Sequence, residues 1–161
     1  MISLSLLVLL LGADDCVLNE GVFKSQLDST RLSKGARIKD QGRKDRVFRE
    51  TLEYSDGTSV TLQVSGCAHL GLSVELRSKK LITSSLTPAE AVKLLTKTLG
   101  ALPMIKQPTL RPGIFLDALK RLKTVPEKFP VPLQCNEFES CELQLDTSKE
   151  PVLLALYDFP L

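Results

Sequence analysis

Between residues 46 and 77, three consecutive runs place apolar side chains at alternate positions, and no other feature limits the fold as much. Phe48, Leu52 and Tyr54 alternate with polar residues, as do Val60, Leu62 and Val64, and then Leu70, Leu72, Val74 and Leu76. A period of two marks a strand with one buried and one wet face, so the runs predict an antiparallel three-stranded meander. Directly opposite residues share a face, which decides the first turn. A two-residue turn at Asp56-Gly57 would set Leu52 against Thr61 and bury the wrong set. A three-residue loop, Ser55-Asp56-Gly57, sets Leu52 against Val60 and Phe48 against Val64. It also gives Gly57 the left-handed position of a bulged hairpin, and this is the expected turn. The second turn falls within Ser65-Gly66-Cys67-Ala68-His69.

Upstream, a short helix is expected over residues 17–27, with turns at Ser33-Lys34-Gly35 and Asp40-Gln41-Gly42. Downstream, Thr87-Pro88-Ala89-Glu90 announces a helix, with Thr87 as N-cap, Pro88 at N1 and Glu90 completing a capping box. Val92, Leu95, Leu99 and Leu102, widened by Ala91 and Leu94, form its apolar stripe, and Gly100 and Pro103 end it. A second helix begins near Pro112 and turns Ile114, Phe115, Ala118, Leu119 and Leu122 inward, with Lys120, Arg121 and Lys123 in its last turn. Pro126, Pro130 and Pro132 make the next segment extended. Residues 141–145 and 152–157 then read as a hairpin, whose second strand is apolar on both faces and so central or covered. The expected class is α+β: a three-stranded meander and a C-terminal hairpin packed with two helices and stabilised by disulfides.

The chain opens on an uncharged apolar run, Met1 to Ala13, that stops abruptly at Asp14-Asp15-Cys16. Such a run is too short to span a membrane and reads as a secretory signal peptide over residues 1–13. Met1-Ile2-Ser3 lacks the usual Lys or Arg, and a buried terminal strand or helix is the competing reading. Residues 14–161 have the length of one ordinary domain. Export makes disulfides the default for Cys16, Cys67, Cys135 and Cys141. Four cysteines allow three connectivities; the favoured one closes the short loop Cys135 to Cys141 and ties Cys16 to Cys67. Cys67-Ala68-His69 offers only two zinc ligands where a structural site uses four, so no metal is expected.

The formal net charge is only +2, which argues against bulk nucleic-acid binding. Its distribution is uneven. Arg31, Lys34, Arg37, Lys39, Arg43, Lys44, Arg46 and Arg49 face only Asp40 and Asp45, whereas Glu137, Glu139, Glu142, Asp146, Glu150 and Asp158 face only Lys149. His69 is the one histidine, so any Ser–His or Cys–His mechanism has to use it, and a histidine in a sheet turn is ordinarily structural. The chain has no GxSxG, HExxH, P-loop or GxGxxG pattern. Glu50 with Glu53, or Glu137 with Glu139, could form a glycosidase carboxylate pair, against the plainer reading of solvated strand charge. Without tryptophan and with two tyrosines, no stacking platform for sugars or single strands is suggested.

These readings converge on a small exported, periplasmic or secreted protein without cofactor, of the general character of inhibitor and immunity proteins. It is expected to bind another protein through Arg43, Lys44 and Arg46 or through Glu137, Glu139 and Glu142. The competing expectation is a small hydrolase working through His69 and a nearby carboxylate.

Overall fold

The alternating runs form strands, and more of them than their apolar pattern announces. The computed structural model describes residues 25–66, 69–79, 81, 86–104, 113–136 and 140–160. Seven strands make one antiparallel sheet: β1 (Ala36–Lys44), β2 (Val47–Tyr54), β3 (Ser59–Gly66), β4 (His69–Arg77), β5 (Val131–Gln134), β6 (Ser140–Asp146) and β7 (Val152–Pro160). Their order across the sheet is β1-β2-β3-β4-β7-β6-β5.

The β2–β3 register is the one that parity demands, with Leu52 opposite Val60 and Phe48 opposite Val64. Gly57 has φ +82°, the Gly57 N–H donates to the Tyr54 carbonyl, and the Tyr54 N–H donates to the Thr58 carbonyl. The Asp56 carboxylate accepts from the Thr58 N–H, as an Asx turn does. Gly57→Val is expected to destabilise the protein by roughly 1–2 kcal/mol, because a β-branched side chain resists the left-handed conformation. An unchanged urea midpoint would show that the loop tolerates the strain.

Two strands correct the expected meander and hairpin. Asp40, Gln41 and Gly42 are not a turn; they lie inside β1, where the register slips between Ile38 and Asp40. An edge strand needs little apolar surface, and β1 supplies only Ala36 and Ile38 as half-buried positions before the slip. The proline-rich segment contributes β5, which buries Val131 and Leu133 and turns Pro132 outward on the opposite edge. β7 then pairs with β4 on one side and β6 on the other, joining the two halves into one sheet.

Helix α1 (Pro88–Ala101) opens on the expected capping box, with Thr87 Oγ1 accepting from the Glu90 N–H and the Glu90 carboxylate accepting from the Thr87 N–H. It runs through Gly100 and ends before Pro103. Helix α2 (Gly113–Arg121) carries Lys120 and Arg121 in its last turn, and Lys123 falls beyond it. Ala91, Leu95 and Leu99 of α1 and Phe115, Ala118 and Leu119 of α2 share one core with Leu62, Leu72, Val74, Leu143 and Ala155 of the sheet. The other face of the sheet is partly open, with Gln63, Ser73, Leu154 and Leu156 half-buried.

Of the helix expected over residues 17–27, positions up to 24 lie outside the described residues. Residues 25–27 are not helical, and Leu27 bridges Met104 instead. The expected signal segment, Cys16 and Cys67 also lie outside the described residues.

Candidate functional site

Strand pairing gathers Arg37, Lys39, Arg43, Lys44, Arg46 and Arg49 of the basic run onto one hairpin at the sheet's edge, while Arg31 and Lys34 precede it. Arg43, Lys44 and Arg46 are exposed at its tip, where Lys44 pairs with Val47 across Asp45 and Arg46. Asp45 adopts φ +54°, a left-handed conformation that an aspartate tolerates better than most residues, and its carbonyl accepts from Arg43 Nε at 3.2 Å. The Arg46 carbonyl accepts from the Gly66 N–H, tying the tip to β3. Successive strand side chains alternate in direction, so Arg43 and Lys44 leave the hairpin on opposite faces.

Further along the hairpin, cations are already engaged. Arg37 and Lys39 both donate to the Glu53 carboxylate, at 2.6 and 3.1 Å. Arg37 first and Lys39 second hold that carboxyl below the usual carboxylate range. Arg49 donates to Gln63 Oε1 at 2.8 Å.

Glu50 overturns its reading as solvated charge. It is fully buried, and its carboxyl accepts from Ser25 Oγ and the Gln26 N–H, both at 2.5 Å, and from Gln41 Nε2 at 3.0 Å. Glu53 sits three positions on and faces the opposite side of β2, so the two cannot flank one scissile bond. The missed signal was phase: Glu50 alternates in step with Phe48 and Leu52.

The acidic run is described only in part. Glu142 lies half-buried on the open face of β6 and accepts from the Gln144 side-chain amide, while Glu137 and Glu139 fall outside the described residues. Cys135 and Cys141 form a disulfide with their Cα atoms 5.7 Å apart, fastening the end of β5 to β6. Arg121, at the end of α2, donates to the carbonyls of Gln134 and Cys135 and so covers part of the β5 edge. His69 is the first residue of β4, in register with Pro160. Among the described residues, no three His, Cys, Asp or Glu side chains stand together as metal ligands. Nor is any helix among them long and apolar enough to cross a membrane.

No known protein family, curated protein or solved structure matches this chain.

Proposed function

We propose that this chain is a non-catalytic binding protein of the periplasm or extracellular space that docks on another protein by charge. Inhibitors and immunity-type proteins that neutralise an envelope enzyme or toxin work in this manner. The observation that carries the reading is the exposed cationic tip of the β1–β2 hairpin, Arg43, Lys44 and Arg46. A hairpin tip with three exposed cations is a docking element for an acidic surface. Compartment rests on the Cys135–Cys141 disulfide together with the apolar opening segment.

The test begins with capture of the partner from envelope extract and its identification by mass spectrometry. Joint reversal of Arg43, Lys44 and Arg46 to Glu is expected to slow association by about 10- to 100-fold, with dissociation changed far less. Added salt slows the native protein in the same way and has little effect on the reversed variant. Reversal of Glu137, Glu139 and Glu142 to Lys changes the rate less. Equal association rates for native and hairpin-reversed protein would overturn the reading. So would a hydrolytic activity that His69→Ala abolishes.

The export reading has its own check. Intact mass of the native protein is expected to correspond to a chain beginning at or near Asp14, and non-reducing peptide maps to show Cys16 linked to Cys67. A mass retaining Met1, or a free thiol at either cysteine, would contradict it.

A further inference from the structure

On the face of the sheet away from the helices, the central strands carry unusually small side chains. Ser65, the penultimate residue of β3, lies opposite Gly71 of β4, and Ser73 follows on the same face. Gly71 keeps this floor low, since a Cβ built there would stand 2.8 Å from Ser65 Oγ. Larger groups surround the floor. Gln63 stands on one side, Leu156 and Asp158 of β7 and Glu142 of β6 on the other, with Pro130 and Pro132 beyond. The result is an open hollow of about 510 Å³ across five strands.

We infer that this hollow receives a basic side chain, arginine or lysine, presented by an extended segment of a partner protein. Its shape and its charge support that occupant independently. Leu156 on one side of Glu142, and Pro130 and Pro132 on the other, offer apolar surface along which a long alkyl stem can lie, leaving its charged head at the rim. At that rim stand two carboxylates. Glu142 pairs with Leu156, and Asp158 is two residues further along β7 on the same face, so they are diagonal neighbours with Cα atoms about 7–8 Å apart. Among the described residues no Lys or Arg lies within ion-pair distance of either. The nearest chain cation on this face in the same cross-strand row, Arg49, is turned to Gln63 on the far side. A guanidinium or ammonium set between Glu142 and Asp158 would neutralise both. The site is separate from the hairpin tip, and either can fail without the other.

The test titrates the isotope-labelled full chain with a capped peptide containing one arginine among serines and alanines, and with the same peptide carrying citrulline instead. The arginine peptide is expected to shift the backbone amides of Gly71, Ser73, Leu156 and Asp158 saturably. The citrulline peptide, equal in shape but uncharged, is expected to bind about tenfold more weakly or less tightly still. Glu142→Gln with Asp158→Asn abolishes the preference for arginine, whereas Ser73→Leu fills the floor and removes binding of both peptides. Reversal of Arg43, Lys44 and Arg46 leaves the shifts intact. Equal affinity for the two peptides, shifts scattered over the surface, or binding indifferent to Ser73→Leu in a variant that melts cooperatively would each overturn the inference.

Discussion

A chain cut after Pro151 is expected to lose cooperative folding altogether. β7 is seventh along the chain but fifth across the sheet, so its removal takes out an interior strand. It pairs with β4 from Leu76–Leu153 to His69–Pro160, and with β6 from Asp146–Val152 to Cys141–Tyr157. Without it the sheet falls into a four-stranded meander and an isolated β5–β6 hairpin, and a lone hairpin is at best marginal in water. Leu153 and Ala155 are fully buried, and Val152 and Tyr157 nearly so. Full burial of a large apolar side chain is worth about 1.5–3 kcal/mol, against a typical total stability of about 5–15 kcal/mol. The cut also leaves two long apolar edges, on β4 and β6, open to aggregation. Urea titration followed by far-ultraviolet circular dichroism is expected to show no sigmoidal transition. A synthetic peptide of residues 152–161 added in trans should restore one whose midpoint rises with peptide concentration. A cooperative transition of the cut chain alone would show that the meander carries the fold unaided.

How far the sequence spoke depends on whether each signal was local. The β2–β3 hairpin was legible to the residue, because only one loop length puts Leu52 against Val60. The start of α1 was equally plain, since Thr87, Pro88 and Glu90 carry the capping chemistry within four positions. β1 was hidden because its edge position asks for little burial and its register slip breaks the alternation that would have revealed it. β5 was hidden by its prolines, which an edge strand accommodates and a central one does not. The pairing of β4 with β7 left no local trace; only the two-sided apolar character of β7 hinted at a central place. The site follows the same division. Arg43, Lys44 and Arg46 could be named from charge alone, but their exposure at a hairpin tip required β1. The hollow needed the one non-local register, β4 with β7, before Ser65, Gly71 and Ser73 became neighbours of Leu156, Asp158 and Glu142.

Glu50→Ala is expected to destabilise the protein by about 3 kcal/mol, because it strips three hydrogen bonds from a dry site and leaves a cavity. One carboxyl oxygen accepts from the Gln26 N–H, and the other from Ser25 Oγ and Gln41 Nε2. Gln26 is itself buried, so in the alanine variant its N–H loses the carboxylate it donates to at a place shielded from water. The effect should spread along the chain, for Glu50 is the anchor that lays residues 25–27 on the sheet. Next to that anchor Leu27 bridges Met104, and the Asp28 N–H donates to the Pro103 carbonyl at 2.7 Å. Hydrogen exchange at Gln26 and Asp28 should therefore accelerate more than exchange at Leu72 or Leu143. Glu50→Gln separates hydrogen bonding from mere volume. A glutamine keeps an acceptor for the Gln26 N–H. Its amide can donate to Ser25 Oγ, and to Gln41 once that exposed side chain reverses its own amide. The glutamine variant should accordingly retain most of the stability that alanine loses. Glu53→Ala, which removes the half-buried carboxylate that the exposed Arg37 and Lys39 share on the opposite face of the same strand, should change the midpoint little. Equal midpoints for native and Glu50→Ala protein would mean that the buried carboxyl is dispensable. Equal losses for alanine and glutamine would mean that the three donors demand an acceptor at both oxygens.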